Sequence, residues 1–476
     1  MGKVLLIGLD GATFDVIRPM IDELPNIKKL MKSGLYGKLR STPLPLTACA
    51  WVSMFTGKNP GKHGVFDFIQ GTERKLVTSL DIDSETIWDI LNKYDKKSVL
   101  INVPMTFPAK KINGYMITGM PYPVDTYPKS IKNILPKDYK TLPEKRNFSE
   151  IQNMGKNVFL VAKNLIKKDW DFFMVVFSST DFVCHWFWNE KEKVKAIYKD
   201  VDRMIGELIK EAGKETSVII ASDHGMGSLK KYVYINNWLA EMGYLKFKKN
   251  MTTQIKLLLH KLGFTMENLK RINSKLGIFK ESTAIENKFI TKILDKFLLS
   301  FSDIDWKKTS AYSNTNYSPI FVTKQDVKEK IIRELKKLKD GNEKIVDCVF
   351  EKKDVYKGKH TKDAPDIIFY TKNFEYSTKT YSEFASNKLF SRPDSGFQGD
   401  HRLDGMYIIK SNLCTECGEK NAIIYDIAPT VLSILGIHIP KDMDGKSLVK
   451  VNKNKSREES KREEEKRIKN IIRDLF

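Results

Sequence analysis

Residues 4–11 read Val4-Leu5-Leu6-Ile7-Gly8-Leu9-Asp10-Gly11. A short, fully apolar run of this kind is typical of a strand that is buried on both faces of a parallel sheet. The run ends in an acid and a glycine, so the carboxylate of Asp10 stands at the tip of the predicted strand. Asp10 could simply cap the following turn, but acids and histidines recur after later strand-like runs. The sequence therefore predicts a sheet whose strand ends collect metal-binding side chains.

Similar apolar runs recur along the chain, between segments that have the 3.6-residue periodicity of amphipathic helices. They occupy residues 99–103, 172–177, 218–221, 367–370 and 406–409. Strands that alternate with helices and are buried on both faces form mainly parallel sheets. We therefore predict an α/β fold with a mainly parallel central sheet, helices on both faces and a helical insertion.

The distribution of lysines and apolar residues divides the chain. Residues 1–236 and 306–450 carry the α/β pattern and are predicted to form one catalytic core. Residues 237–305 are rich in Lys, Leu and Ile and are predicted to form a helical, basic insertion or cap. Residues 451–476 form a charged tail with apolar residues at helical spacing. That tail could dock on the body, mediate an oligomer contact or lie on a membrane surface.

The chain is strongly basic. Its 81 lysines and arginines exceed its 59 acidic residues, which gives a formal net charge of +22. Such a charge suits an anionic partner, although lysines on exposed helices could account for it without one. We expect a small phosphorylated substrate rather than nucleic acid, keep a membrane surface as an alternative, and leave the oligomeric state open.

The sequence favours a cytoplasmic location. Its first apolar run is too short for a secretory signal, and no apolar segment approaches the roughly 20 residues that cross a bilayer. Five cysteines are few for 476 residues, which fits a reducing compartment. Cys414 and Cys417 form a lone CxxC pair. An ordinary loop is the simpler interpretation of this pair, and a disulfide is the alternative.

An acid and a histidine follow the run at 172–177, in the order Asp181-Phe-Val-Cys-His185. On a helix, residues four apart share one face, so Asp181 and His185 could hold one ion together. Such spacing is common and by itself says little. Here the three flanking aromatic residues 186–188 would shield a site from bulk water.

Two further groups of candidate ligands follow strand-like runs or glycine loops. Asp223 and His224 come directly after the run at 218–221, and Gly225 permits the turn that lets both side chains face one ion. His401 lies beside Asp400 in a loop that contains a glycine. A structural salt bridge is the alternative for each pair. The other four histidines of the chain lack an acidic partner in a ligand-like context.

Thr47 is the candidate nucleophile. It precedes an apolar, helix-like stretch at 48–55 and is predicted to be the N-cap of that helix. A hydroxyl at this position lies among free backbone N–H groups, where a phosphoryl group could be held. A bound divalent cation would lower the pKa of this hydroxyl. The alternative is that Thr47 caps the helix and has no catalytic role.

Taken in order, these motifs resemble the alkaline phosphatase superfamily, and most closely its type I phosphodiesterase/nucleotide pyrophosphatase group. The signatures are Gly8-Leu9-Asp10-Gly11, Thr47 ahead of Thr56-Gly57, Pro60 with His63-Gly64, Asp181 with His185, Ser222-Asp223-His224-Gly225-Met226, and Gly399-Asp400-His401. The resemblance covers residues 3–227 and resumes over residues 306–448. It implies an alkaline phosphatase-like fold.

The resemblance also implies a two-metal phosphohydrolase. Asp181, His185 and His401 would hold one divalent cation, while Asp10, Asp223, His224 and the Thr47 oxygen would hold the second. Mixed carboxylate and imidazole ligands suit Zn²⁺, with Mn²⁺ as the alternative. Thr47 would form a covalent phospho-intermediate that water then releases.

Two departures from the group's pattern bear on the substrate. Phe68 follows the segment 63–67, where nucleotide pyrophosphatases commonly have an asparagine that supports a phosphoryl oxygen. The segment after the nucleophile reads Thr47-Ala48-Cys49-Ala50 instead of Thr-Phe-Pro-Asn. We expect phosphodiester cleavage. A phosphomonoesterase, a phosphoryl transferase and an inactive protein that binds nucleic acid or an anionic surface remain as alternatives.

Overall fold

The computed structural model describes residues 2–276, 296–314, 317, 319–378, 384–393, 396–414 and 416–449. Nine strands of this part of the chain carry the argument. In chain order they are β1 (Val4–Leu9), β2 (Leu35–Arg40), β3 (Ser98–Val103), β4 (Gly114–Thr118), β5 (Phe172–Phe177), β6 (Ser217–Ala221), β7 (Gly225–Ser228), β8 (Gly399–Arg402) and β9 (Asp404–Lys410).

Within the described residues, the central sheet has ten strands. Its main order is β2-β9-β6-β1-β5-β3-β4, with Gly418–Glu419 and Ala422–Ile423 beside β2 and Thr126–Tyr127 beside β4. The strands β6, β1, β5, β3 and β4 are parallel to one another, whereas β9 runs antiparallel to both of its neighbours. The prediction of a mainly parallel α/β sheet is therefore confirmed.

The first strand is buried on both faces, as its unbroken apolar sequence predicts. Leu5, Ile7 and Leu9 belong to one hydrophobic cluster, while Val4 and Leu6 belong to another on the opposite face. The helices 25–33, 148–165, 179–187 and 191–212 cover the first face, and the helices 47–56, 87–93 and 427–434 cover the second. Side chains of a strand alternate between the two faces, so each face needs its own layer of helices.

The helices of the described chain follow the sequence patterns with small shifts at their ends. They are Phe14–Ile17, Pro25–Ser33, Thr47–Thr56, Pro60–His63, Ile87–Lys93, Phe148–Leu165, Ser179–Phe187, Lys191–Ala212, Ile235–Glu241, Met251–Lys261, Met266–Leu276, Lys328–Leu335, Lys352–Val355 and Ile427–Ile434. Asp426 precedes the last helix and accepts hydrogen bonds from the backbone N–H groups of Ile423 and Lys446 rather than from that helix. Gly436, with φ of 71°, follows that helix.

A third hydrophobic cluster lies outside the central sheet. It joins Trp238, Leu239 and Leu245 with residues of an antiparallel sheet that is made of Ala311–Tyr312, Pro319–Val322, Val346–Glu351 and Ile367–Thr371. The run at 367–370 is thus a strand, but in this smaller sheet rather than in the central one. The cluster draws residues from both sides of position 305/306. The division of the chain at 237 and 305 stays a prediction.

Short strands complete the described structure. They are Lys231–Val233 with Tyr376–Thr378 and Phe390–Ser391, Ile69–Gln70 with Lys75–Leu76, and Lys339–Asp340 with Glu343–Lys344. All five cysteines are free, including Cys414 and Cys417. No helix of the described residues is long and apolar enough to cross a membrane. The predicted tail helix at 451–476 lies outside the described residues.

Candidate metal centre

Three neighbouring parallel strands end at one edge of the sheet and deliver the first ligands. Asp10 follows β1, the helix that carries Asp181 follows β5, and Asp223 follows β6. The backbone N–H of Gly11 donates to Asp223 Oδ1 over 3.2 Å, which ties two of these strand ends together. Because β1 pairs in register with both neighbours, the three carboxylates meet in one place.

Asp181 and His185 lie on one face of the helix Ser179–Phe187, as their spacing predicts. His185 Nε2 is 3.3 Å from Asp181 Oδ1. Both side chains are largely buried, because the helix packs between the central sheet and the helix Lys191–Ala212.

His401 reaches the same place from the far end of the chain. Its strand β8 pairs antiparallel with β7, and this pairing sets His401 opposite Met226. The His401 ring stacks on that of His224 with ring centroids 3.6 Å apart. Its Nε2 atom is 2.9 Å from His185 Nε2 and 3.6 Å from Asp181 Oδ1. The loop predicted around His401 is therefore a strand.

Thr47 lies at the start of its helix, but one residue further in than predicted. The N-cap is Leu46, and Thr47 is the first helical residue of Thr47–Thr56. Its hydroxyl makes no capping hydrogen bond and instead lies 3.2 Å from His224 Nε2. The capping role is therefore wrong, and the hydroxyl points into the cluster of predicted ligands.

The hydrogen bonds of the three histidines fix their ring orientation. The Nδ1 atoms of His185, His224 and His401 each contact a backbone carbonyl oxygen, those of Gly399, Gly225 and Pro45, at 3.0, 3.1 and 2.7 Å. A carbonyl oxygen only accepts, so each Nδ1 carries a proton, and Nε2 is the ring atom left to bind a metal ion. This is how metal-bound imidazoles are commonly held.

The carboxylates are buried without enough donors. Asp10 Oδ1, Asp181 Oδ1 and Asp223 Oδ2 are buried and accept no hydrogen bond from the described residues. Burial, and then the nearby carboxylates of Asp223 and Asp181, raise the pKa of Asp10 well above its usual value. Burial also raises the pKa of Asp223. Buried carboxylates in this position call for a cation.

The histidines show the matching perturbation. Burial, and then the neighbouring ring of His401, hold the pKa of His224 well below its usual value. Burial, and then His185, lower the pKa of His401 to about 4. Both rings are therefore neutral near pH 7 and available as ligands. A donor set of carboxylate oxygens and imidazole nitrogens suits Zn²⁺ and also accommodates Mn²⁺.

The structure thus brings together all seven predicted residues. Asp10, Asp223 and His224 place ligand atoms within 4.8 Å of one another, as do Asp181, His224 and His401. His185 completes the second group through its contacts with Asp181 and His401. The division into two metal sites, and each residue's role, stay predictions.

Two residues around the cluster, Trp51 and Tyr317, are not assigned a role by sequence reasoning. Trp51 donates from Nε1 to Asp10 Oδ2 over 3.2 Å. The Tyr317 hydroxyl donates to Asp400 Oδ1, and the Tyr317 ring stacks on that of His401 at 4.9 Å. Trp51 comes four residues after Thr47 on the same helix, which is a signal that could have been used. Tyr317 lies 84 residues before its partner ring, and nothing in the sequence connects the two.

His360 has acidic neighbours away from the cluster. Its Nε2 is 2.8 Å from Asp83 Oδ2 and its Nδ1 is 3.4 Å from Asp363 Oδ2. Asp83 is far from His360 in the sequence and could not be matched to it by pattern. This pair lies near the surface and contributes no ligand to the cluster.

An α/β sheet with carboxylates, histidines and a threonine hydroxyl at its strand ends defines the alkaline phosphatase-like class of folds. The chain belongs to the type I phosphodiesterase/nucleotide pyrophosphatase family, whose model matches residues 4–401. The recognition made from the motifs is therefore confirmed. Enzymes of this superfamily use divalent metal ions, and the clusters described above provide candidate ligands for them.

Individual relatives are distant. Over 254 residues the chain is 29% identical to ectonucleotide pyrophosphatase/phosphodiesterase family member 1 of Mus musculus. This match covers 51% of the chain and 26% of that relative, so the chain spans about a quarter of its length.

Two solved structures share the fold. Alkaline phosphatase PafA superposes with a TM-score of 0.56 at 16% identity, over 94% of this chain and 98% of its own. Murine ectonucleotide pyrophosphatase/phosphodiesterase 5 superposes with a TM-score of 0.52 at 12% identity, over 92% of this chain and 96% of its own. That structure is of an inactive threonine-to-alanine variant in complex with AMP.

Proposed function

We propose that the chain is a two-metal phosphodiesterase in which Thr47 attacks the phosphorus of a phosphate ester. One observation carries this proposal. Three imidazole Nε2 atoms converge on one threonine hydroxyl, together with three buried carboxylates that each have an oxygen without a hydrogen bond from the described residues. Asp181, His185 and His401 would hold one cation, and Asp10, Asp223, His224 and Thr47 the other. Two such cations would polarise the phosphoryl oxygens, favour the alkoxide of Thr47 and stabilise the leaving oxygen.

The chain's own residues then position the reaction. Thr47 Oγ1 forms a bond to phosphorus while the bond to the leaving alcohol breaks, and the alcohol departs with a proton. Water releases phosphate or a monoester from the phosphothreonine and restores the hydroxyl. Thr47 begins a ten-residue helix, so backbone N–H groups of its first turn are available to phosphoryl oxygens.

Phe68 distinguishes the proposed substrate site from that of nucleotide pyrophosphatases, which commonly have an asparagine at this position. The Phe68 side chain packs against both hydrophobic clusters of the core, so it offers no amide to a phosphoryl oxygen. We propose a diester as the substrate and treat the nucleotide as one option, because the murine relative was solved with AMP. Zn²⁺ is proposed as the ion, with Mn²⁺ as the alternative. The cytoplasmic location also remains a proposal.

The test is the hydrolysis of bis-p-nitrophenyl phosphate and p-nitrophenyl phosphate by the metal-loaded protein. We expect faster turnover of the diester, loss of activity with a chelator, and at least a ~10³-fold lower kcat for Thr47→Ala. Thr47→Ser keeps a hydroxyl and should retain part of the activity. Full activity of Thr47→Ala would remove the covalent mechanism, and faster turnover of the monoester would favour a phosphomonoesterase. An added alcohol that appears as a phosphorylated product would identify a transferase.

A further inference from the structure

The helix Met251–Lys261 exposes several large apolar side chains, whereas an ordinary surface helix turns such side chains toward the core. Met251, Ile255 and Leu258 are 80%, 50% and 58% exposed, and Leu262, which follows the helix, is 75% exposed. At 3.6 residues per turn these four side chains fall within an arc of about 60°. They form one continuous apolar stripe, which we call the outer stripe, on the face that points away from the protein.

The opposite face of this helix is anchored by polar side chains. Thr253 Oγ1 donates to Asp303 Oδ1 over 3.0 Å, and Lys256 Nζ donates to Asp303 Oδ2 over 3.1 Å. His260 Nε2 contacts the carbonyl oxygen of Ser386 at 3.0 Å. The helix is therefore fixed with Thr253, Lys256 and His260 inward and the outer stripe outward, while Leu257 packs against the third hydrophobic cluster. In water this orientation exposes apolar surface. The same surface would be buried if the helix were rotated by half a turn about its axis.

The surroundings of the outer stripe are basic. Residues 242–266 contain no acid, and Lys246, Lys248, Lys249 and Lys261 are exposed. Beside the helix lies an open groove of about 520 Å³, in which Leu245, Phe247 and Leu257 are flanked by Lys246 and Lys249. An apolar stripe with a lysine border is the pattern of helices that lie in the plane of a membrane interface.

We propose that the outer stripe docks on the surface of an anionic phospholipid bilayer. The apolar side chains would enter the boundary between headgroups and acyl chains, and the bordering lysines would contact lipid phosphates and carboxylates. The helix has 11 residues and is about 16 Å long, so it can lie on a bilayer but cannot span one. This surface is separate from the metal centre, and the proposal does not depend on the enzymatic reaction.

Charge argues for a bilayer over other occupants. A second copy of the chain would set the same lysines against each other across a symmetric contact. The segment 451–476 has nine basic and six acidic residues, so its net charge does not complement the lysines that border the outer stripe. An anionic lipid surface provides both an apolar layer and the missing negative charge, and it matches the net charge of +22.

The experiment is flotation of the full chain, with metal bound and no substrate, with phosphatidylcholine vesicles that contain or lack phosphatidylserine. We expect binding to the phosphatidylserine vesicles that weakens as salt is raised. The triple variant Ile255→Ser, Leu258→Ser, Leu262→Ser should bind at least tenfold more weakly. The variant Lys246→Gln, Lys248→Gln, Lys249→Gln should lose the preference for phosphatidylserine.

The matched control replaces two exposed leucines elsewhere, Leu76→Ser and Leu80→Ser, and should bind like the unaltered chain. Thermal unfolding and light scattering accompany each measurement. No binding to phosphatidylserine vesicles at low salt, or equal binding by the triple variant, would overturn the proposal. A lower unfolding temperature of the triple variant would show that the chain itself covers the stripe. If the unaltered chain is a dimer and the triple variant is a monomer, a second copy covers the stripe. Either of these last two results would also overturn the proposal.

Discussion

His185 Nε2 and His401 Nε2 lie 2.9 Å apart, and neither ring has its Nδ1 free, because Gly399 and Pro45 accept the Nδ1 protons. Two Nε2 atoms at this distance with no proton between them would point lone pairs at each other, and a shared cation would remove that repulsion. Asp181 Oδ1 lies within 3.6 Å of both nitrogens. The same three atoms are the proposed ligands of one metal ion.

Replacing Asp10 with asparagine should have opposite effects with and without metal. Without metal, Asp10→Asn removes one of three crowded, buried carboxylates and keeps the oxygen that accepts from Trp51, so we expect a higher unfolding temperature. With Zn²⁺ or Mn²⁺, the variant should lose most of the metal-induced rise in unfolding temperature. Calorimetry in chelator and in metal measures both effects, and mass spectrometry of the metal content accompanies it.

The control for this prediction is Asp202→Asn. Asp202 is also buried, but it accepts hydrogen bonds from Asn26 and Ile27 at a different place in the fold. This variant should be less stable under both conditions and should bind metal normally. Wild-type metal content and activity in Asp10→Asn would show that Asp10 only caps a turn.

Tyr317→Phe should weaken metal binding while the fold is kept. Burial, and then Asp400, raise the pKa of Tyr317 well above its usual value, so its hydroxyl remains a donor to Asp400. The Asp400 carboxylate in turn accepts from the backbone N–H of His401 over 2.9 Å. Loss of such an outer hydrogen bond typically lowers metal affinity about 10–100-fold. Competition with a chromophoric chelator measures the affinity.

Tyr312→Phe provides the comparison, because Tyr312 is equally buried but lies in the third hydrophobic cluster and stacks on Phe321. Its metal affinity should match that of the unaltered chain. If the two variants bind metal equally well, Tyr317 contributes packing alone.

His63 should make the fold less stable as the solution becomes acidic. His63 Nδ1 accepts from the backbone N–H of Val65, and Nε2 lies 2.9 Å from Ser53 Oγ. Burial, followed by the charges of His360 and Lys58, lowers the pKa of His63 to about 3. The unfolded chain takes up this proton near pH 6.5, so the contribution of His63 is complete above that pH and is lost as the pH falls toward 3.

The effect is measurable as a slope. The free energy of unfolding should fall by up to about 1.4 kcal/mol per pH unit through His63 alone over this range. Denaturant unfolding of His63→Gln should show a shallower dependence than the unaltered chain. Equal slopes, or a His63 ring that titrates near pH 6.5 in the folded state by NMR, would contradict the prediction.

Gly8→Ala should disturb the strand that carries Asp10. A Cβ atom at Gly8 would lie 2.4 Å from the Trp51 ring and 2.9 Å from Val176. We expect a loss of about 1–3 kcal/mol in the free energy of unfolding, together with weaker metal binding through the displaced Trp51–Asp10 hydrogen bond. In a Trp51→Phe background the smaller ring should accept part of the added methyl group, so the two changes should not be additive. Additive effects would place the strain elsewhere.

The sequence predicts the parts of this site that local patterns encode. Unbroken apolar runs indicate the parallel strands. Asp10, Asp181 and Asp223 each follow such a run, so they are expected at the same edge of the sheet. The Asp181–His185 pair follows from the helical repeat. These features depend on residues that are close together in the chain.

The features that sequence reasoning missed depend on long-range packing. Thr47 lies one residue inside its helix, and its hydroxyl contacts His224, which is 177 residues away in the sequence. Trp51 donates to Asp10, and Tyr317 donates to Asp400 beside His401. Each donor is far from its acceptor in the sequence, so no local pattern indicates the contact. The strand at 367–371 has an apolar sequence like those of the central strands. It pairs instead with two antiparallel strands of the smaller sheet, which its own sequence does not indicate.

The pairing of β8 with β7 has a consequence for synthesis. His401 is made long after Asp181 and His185, and ribosomes add about 5–20 residues per second, so the interval is on the order of 10–40 s. Throughout that interval the nascent chain has two of the three proposed ligands of one metal site. On the proposed assignment this site is complete only after β8 has paired with β7, so tight metal uptake would report that this late pairing has formed.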